Sequence, residues 1–267
     1  MESVSGVNNW KLVIRREQTG VTVLWAATCD RRAALPEELF GLPVTALGDH
    51  ALTPGRQMPA GEEVLVTCGP AGEDAAWDNG CLEDLRLPES LTRVADYAFF
   101  NCRKLKTLRL RDTAGRWGGG ALMNCRRLDT FHLTCTGREG ELLAYFADEL
   151  PRELDVTLYR PDKETARLIF PEYVEVYEEN CPAHHFDYNI SGAGYPYHYC
   201  FRHKKLRIKD FDALWEGYLA MEHEADTALR LAWWRLRCPA ELEMEKSRSS
   251  RYSSVSTSAN AVSAWSP

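Results

Sequence analysis

A 23-residue period constrains the fold of this chain more than any other feature of the sequence. Leu-x-Leu phrases or close variants recur in the same phase, at Leu85–Leu87, Leu108–Leu110, Phe131–Leu133 and Leu154–Val156. Other residue types between these phrases repeat with the same spacing: Ala98 and Ala121, Asn101 and Asn124, Cys102 and Cys125, Leu105 and Leu128. Because so many positions keep one phase, the sequence predicts a stack of repeats.

Each repeat is predicted to combine a short strand with a short helix. Leu-x-Leu is the shortest alternating strand, with two apolar side chains on one face. In "ADYAFFNCRKL", Ala98, Cys102 and Leu105 lie at helical spacing and predict an apolar stripe. Neither piece can bury its apolar face alone, so we expect a parallel ladder of strands backed by helices. The repeated cysteines are interpreted as small buried apolar residues rather than as a redox pair.

The pattern L-x-L-P-x-S-L-T-x-V-x-x-x-A-F-x-x-C-x-x-L at residues 85–105 resembles the BspA-like leucine-rich repeats of bacterial proteins. The sequence up to "GLPVTALGDHAL" is also similar to the way such proteins begin, with a β-hairpin before the first repeat. The resemblance covers roughly residues 8–160. It implies an α/β leucine-rich repeat solenoid with a curved parallel sheet, an N-terminal β-hairpin cap and a C-terminal helical cap. The chain departs from the family pattern in two places. One is the "RWGGGAL" segment, and the other is the long region 51–64, where a loop is expected to bulge out.

The loss of the period near residue 160 predicts three parts of the chain. These are the solenoid with its hairpin cap over residues 1–160, a mixed aromatic and helical cap over 161–245, and a disordered Ser-rich tail over 246–267. Asp210 is the expected N-cap of a first helix, and "ADTALRLAWWRLRC" predicts a second. Trp215, Trp233 and Trp234 are expected either in the core or in a docking patch, with one of the adjacent pair less buried.

Composition and charge narrow the partners and the location. The formal net charge of -7 and the lack of a basic stripe argue against nucleic acid. No run of apolar residues is long enough to span a membrane. The N-terminal sequence has no secretory pattern and the nine cysteines are an odd number. These two observations favour free thiols in the cytoplasm, whereas the family resemblance implies cell-surface or secreted proteins.

One pair of Cys-x-x-His spacings raises the possibility of a metal site. Cys181 with His184 and Cys200 with His203 are ligand types that tetrahedral zinc accepts. The alternative is that "YPYHYCFRH" forms a strand, which would place Cys200 and His203 on opposite faces. We therefore predict no metal and no cofactor, and zinc stays open as an alternative.

The sequence carries no catalytic pattern that would indicate an enzyme. It lacks a phosphate-binding loop, a G-x-S-x-G phrase and an H-E-x-x-H phrase. The chain is therefore predicted to be non-catalytic. Its expected work is protein–protein interaction, which is what the family resemblance implies.

The predicted binding site is the concave face of the repeat sheet. The middle residues of the strands, with one neighbour, would line it: Arg86, Arg109, Arg111, His132 and Asp155. A mainly basic row in an acidic protein would attract a protein partner with an acidic surface. Two alternatives remain. The row is merely a solvated sheet face, or the C-terminal aromatic and Cys/His region is the working module and the repeats serve as a handle.

Overall fold

The protein is described by a computed structural model over residues 2–68, 77–161, 165–180 and 185–238. The chain divides into two compact units, residues 1–142 and 143–267. The first unit contains the hairpin and the repeats, and the second contains the remaining strands and helices. The division at residue 142 follows from packing, whereas the predicted boundary at residue 160 follows from the loss of sequence period.

The first unit consists mainly of short strands. Their bounds are β1 (Glu2–Ser5), β2 (Trp10–Glu17), β3 (Gly20–Ala27), β4 (Arg32–Ala34), β5 (Glu38–Leu39), β6 (Leu42–Leu47), β7 (Glu62–Thr67), β8 (Asp84–Arg86), β9 (Arg93–Val94), β10 (Thr107–Arg111), β11 (Arg116–Trp117) and β12 (Thr130–Thr134). Helix α1 (Glu139–Glu149) follows and contains the division between the units.

The repeats form two parallel ladders. The first ladder consists of β4, β8, β10 and β12, and its registers pair Leu85 with Leu108 and Leu108 with Phe131. The second ladder consists of β6, β9 and β11, with Leu47 opposite Val94 and Val94 opposite Trp117. The predicted solenoid with a parallel sheet and a 23-residue register is confirmed. The second ladder has no counterpart in the sequence analysis.

The helix expected after each strand is wrong for the repeats that follow β9 and β11, where the structure has turns. Tyr97, Asn101 and Asn124 have φ angles of 55°, 63° and 62°, which an α-helix does not allow. The turn amides also donate along the stack instead of along a helix: Phe99 N lies 2.9 Å from Ala121 O, and Asn101 N lies 3.1 Å from Met123 O. Among the described residues of the repeats, a helix forms in the last repeat alone, as α1.

The apolar column predicted inside the stack is confirmed. Leu108 is 0% exposed, and the repeated alanines, cysteines and leucines are all buried: Ala98, Ala121, Cys102, Cys125, Leu105 and Leu128. Burial raises the pKa of the Cys102 thiol, and its Sγ donates to the Leu52 carbonyl at 3.3 Å. These thiols are therefore core side chains, as expected.

The N-terminal cap is larger than the predicted hairpin. Strands β2 and β3 form the hairpin, and β3 runs parallel to β6 of the second ladder. The region expected to bulge out as a loop ends in β7, which pairs with β2 on one side and β1 on the other. The buried side chain of Asn79 links the first turns, because it donates to Ala26 O and Leu52 O and accepts from Thr28 N.

The second unit combines antiparallel strand pairs with helices. The elements are β13 (Leu154–Tyr159), β14 (Ala166–Phe170), β15 (Val174–Asn180), β16 (His185–Ser191), α2 (Tyr195–His198), β17 (Phe201–Arg202), β18 (Lys205–Leu206), α3 (Ile208–Ala213), α4 (Trp215–Ala220) and α5 (Ala225–Arg237). Strand β13 pairs with β14, β15 with β16, and β17 with β18. Inside this unit the buried Arg235 guanidinium binds the Asp212 carboxylate, with Nε 2.7 Å from Oδ1.

Of three local predictions for the second unit, two are wrong and one is confirmed. Asp210 is not an N-cap, because α3 begins after Arg207 and Asp210 lies in its first turn. The strand proposed for "YPYHYCFRH" is wrong, since Tyr195–His198 is helical and only Phe201–Arg202 is extended. The expected difference within the tryptophan pair is confirmed, with Trp233 55% exposed and Trp234 only partly so.

Candidate protein-binding face

The outward side chains of the first ladder lie in rows across the strands. Because side chains alternate along a strand, the residues between the buried leucines point away from the core. The register places Arg86 opposite Arg109 and Arg109 opposite His132, with Arg111 two residues further along β10. The structure therefore brings together four of the five residues predicted for the binding face. We call this set, with Asp84 and Glu89, the first-ladder face.

The arginines of the first-ladder face have carboxylate partners. The Arg109 guanidinium forms a bidentate ion pair with the Asp84 carboxylate, with Nε 2.9 Å from Oδ1 and Nη2 2.9 Å from Oδ2. The Glu89 carboxylate lies between two arginines, with Oε2 3.4 Å from Arg111 Nη1 and Oε1 3.7 Å from Arg86 Nη2. All three pairs reach the solvent, so each contributes little to stability. The face is therefore a network of mixed charge rather than the basic row that the sequence suggests.

Asp155 is the fifth predicted residue and belongs to the second unit. It lies on β13, where its Oδ1 accepts a hydrogen bond from Arg167 Nε at 2.6 Å. Arg167 is opposite Thr157 on the antiparallel partner strand, and its guanidinium also lies over the Trp234 ring at 4.2 Å. Within the second unit, the Asp155 carboxylate is therefore paired with the Arg167 guanidinium.

A second set of arginines was not found by the sequence analysis. Arg93 and Arg116 are opposite each other on β9 and β11 of the second ladder, and both are exposed. With Arg138 they line an open groove of about 480 Å³. The spacing of Arg93 and Arg116 is the repeat period itself, so a search for outward residues in each repeat would have found them. They were missed because only the Leu-x-Leu phrases were considered as strands with outward residues.

The possible zinc ligands lie partly outside the described residues. Cys181 and His184 lie outside the described residues. Cys200 is buried, its Sγ donates to Pro196 O at 3.2 Å, and burial raises the pKa of its thiol to about 12. His203 is exposed. Within the described part of the chain, no group of three His, Cys, Asp or Glu side chains is arranged for a metal ion.

Comparison with known proteins identifies the repeats. Residues 73–139 match the BspA type leucine rich repeat region, with six copies. The repeat region is of the BspA type. The matched residues include β8 to β12 but neither β4 nor β6, and the family is consistent with a protein-interaction scaffold. No curated protein matches this chain.

Two solved structures are similar to parts of the chain. A leucine rich repeat protein of T. pallidum is 16% identical over 46% of this chain and 50% of its own, with a TM-score of 0.30. A leucine rich cell surface protein of Faecalibacterium prausnitzii is 16% identical over 56% of this chain and 41% of its own, with a TM-score of 0.31. The match thus spans half the length of the first protein and less of the second.

Among the described residues, none of the helices is long and apolar enough to cross a bilayer.

Proposed function

We propose that this BspA-type protein is a non-catalytic interaction scaffold that binds a protein partner through the first-ladder face. The observation that carries the proposal is the register of the first ladder. It repeats outward polar side chains on successive strands, with Arg86, Arg109 and His132 in one row. Arginine is enriched at protein interfaces, and a rigid sheet orders such side chains before the partner arrives.

The charges of the first-ladder face define the partner more closely. Three arginines accompany two carboxylates, Asp84 and Glu89, so the net charge with a neutral histidine is about +1. A complementary partner would be mildly acidic and would present cations as well as carboxylates. We therefore propose an acidic partner, as the sequence predicts, whose surface carries charges of both signs.

A charge swap tests the face without removing its ion pair. In the double variant Asp84→Arg with Arg109→Asp, the net charge is unchanged and the pair is reversed. We expect the thermal midpoint to stay close to that of the wild type and partner capture in a pull-down to be lost. The matched control is the swap Arg207→Asp with Asp210→Arg at an exposed ion pair of the second unit, which also leaves the net charge unchanged and should still capture the partner. Unchanged capture by the swapped protein would move the site elsewhere.

The cellular location is a separate proposal. The described cysteines are free thiols, which fits the cytoplasm predicted from the sequence. The F. prausnitzii protein carries the description of a cell surface protein, which favours the envelope. Fractionation of cells that produce the protein decides between them, since recovery from the envelope or the medium would contradict the cytoplasmic proposal.

A further inference from the structure

The groove on the second ladder has a charge arrangement that the fold alone does not require. Arg93 and Arg116 occupy directly opposite positions on neighbouring parallel strands, where like charges are unfavourable. Among the described residues neither has a hydrogen-bonded or ion-paired carboxylate. On the first ladder, by contrast, Arg109 and Arg111 each contact one. Because neither arginine is in direct contact with a carboxylate of the described residues, the pair offers a place for an external anion.

A third arginine is fixed beside this pair by a buried carboxylate. Asp112 is 0% exposed, and it accepts hydrogen bonds from Thr136 N at 2.6 Å and from Arg138 N at 2.8 Å. These contacts hold the chain at Arg138 on the next turn of the stack, and its exposed side chain lines the same groove. The groove thus presents one arginine from each of three successive turns.

The floor of the groove supplies hydrogen-bond acceptors. The hydroxyl of Thr92 donates to Thr45 O at 3.2 Å, and the hydroxyl of Thr113 donates to Glu89 O at 3.1 Å. Because these hydroxyl protons are already used, the two oxygens face a ligand as acceptors. A lipid phosphodiester has no O–H donor on its phosphate, whereas inorganic phosphate keeps at least one O–H at neutral pH and is therefore a competitor that the test must distinguish. A peptide has both parts, with main-chain N–H groups as donors and acidic side chains as anions.

We propose that this groove binds an extended acidic peptide segment of a protein partner. The volume of about 480 Å³ lies within the range of about 300–1,000 Å³ that is common for ligand sites. Neighbouring strands are spaced by about 4.8 Å, and alternate side chains of an extended peptide by about 6.6 Å. The long arginine side chains can accommodate this difference. The groove binds independently of the first-ladder face, because the two sites share none of their charged side chains.

Carboxylates of the protein at the edge of the groove set its selectivity. Glu141 Oε2 lies 3.3 Å from the position that a Cβ on Gly115 would occupy, so it reaches the groove floor. Glu17, which also lines the groove, is already in contact with Arg15. Glu141 therefore repels an incoming carboxylate, and its neutralisation should strengthen binding of an acidic peptide.

The test uses the full chain and a fluorescein-labelled peptide in which Glu alternates with Thr, with binding followed by anisotropy. We expect the triple variant Arg93→Gln, Arg116→Gln, Arg138→Gln to raise Kd by about eightfold, since each of the three exposed ion pairs contributes roughly twofold. Arg116→Gln alone should raise it about twofold, and Glu141→Gln should lower it about twofold. The matched control, Arg103→Gln, Lys104→Gln, Arg127→Gln, removes the same charge from exposed turns and should leave Kd unchanged.

Three results would overturn the proposal. The first is equal affinity of the wild type and the triple groove variant. The second is a loss of the same size in the control variant, which would indicate attraction by net charge. The third is capture of phosphatidylglycerol vesicles, or competition by inorganic phosphate, with no affinity for the peptide. The charge swap of Asp84 and Arg109 leaves the groove intact, so failure of either proposed site can be recognised separately.

Discussion

The two ladders of the solenoid come from the same repeats but treat their charges differently. On the first ladder, Arg109 binds Asp84 on the neighbouring strand, and Glu89 lies between Arg86 and Arg111. On the second ladder, Arg93 and Arg116 stand opposite each other, without a carboxylate partner among the described residues. A repeat therefore does not fix the chemistry of a surface. An outward arginine is paired only where a neighbouring strand or turn carries a carboxylate beside it.

The inward residues of both ladders should be essential, and they should give the largest effect. Leu108→Ala is expected to lower the free energy of unfolding by about 2–5 kcal/mol, through lost burial and a residual cavity. Val94→Ala on the second ladder removes fewer methylene equivalents and should cost about 1–3 kcal/mol. Urea denaturation measures both. If Val94→Ala cost nothing, the second ladder would not be part of the core.

The corner between the ladders depends on Asp112. Asp112→Ala leaves three donors without their acceptor, namely Thr136 N, Thr136 Oγ1 and Arg138 N. We expect a loss of about 2–3 kcal/mol, because buried unsatisfied groups are costly. The control Asp129→Ala removes a partly buried carboxylate that accepts only from the neighbouring Thr130 hydroxyl in the described contacts, and should cost under about 1 kcal/mol. Equal losses would show that the corner is not held by Asp112.

The glycines after β11 give an intermediate effect. Gly120 has a φ of +58°, and a Cβ there would lie 2.7 Å from Tyr97 Cε1 on the previous turn. Gly120→Ala should therefore cost about 1–2 kcal/mol from backbone conformation. Gly119→Ala is the matched control, since a Cβ at Gly119 meets nothing within 4 Å and its φ is not in the left-handed region. Thermal unfolding compares them, and a larger effect at Gly119 would contradict the turn geometry.

The outward arginines should give the smallest effects, and their signs distinguish the ladders. From alternation alone, Arg109→Ala is expected to cost little, within about 0.5 kcal/mol. The contact with Asp84 raises this expectation to at most about 1 kcal/mol, because both groups are partly exposed. Arg116→Ala should be neutral or slightly stabilising, since it relieves like charges. Both are measured by denaturation at low and high salt, and a loss at Arg116 equal to that at Arg109 would remove the contrast.

The sequence predicts the first ladder well because two-residue alternation and a strict period leave little freedom. Leu85, Leu108 and Phe131 are buried and in register, as the Leu-x-Leu phase requires. The second ladder was missed because strands of two residues, such as Arg93–Val94, are too short to alternate visibly. The stripe of Ala98, Cys102 and Leu105 was assigned to a helix because its spacing is helical. Turns that bond along the stack can bury residues at the same spacing.

The charges of the binding face were harder to predict than its position. The sequence places Arg109 outward, yet its partner Asp84 is one strand earlier and becomes a neighbour only through the register. For the same reason Asp155 was assigned to the row, while its carboxylate pairs with Arg167 within the second unit. Long-range pairs of this kind follow from three-dimensional neighbours, which a period alone does not specify.

The buried thiols of Cys102 and Cys125 can report local opening of the stack. Each Sγ is enclosed and donates to a carbonyl of another turn, Leu52 O and Phe99 O respectively. An alkylating reagent can reach either sulfur only when that turn opens, so the two labelling rates under native conditions report two separate opening equilibria. Equal rates would mean that neighbouring turns open together. A faster rate at one cysteine would reveal the end from which the solenoid frays.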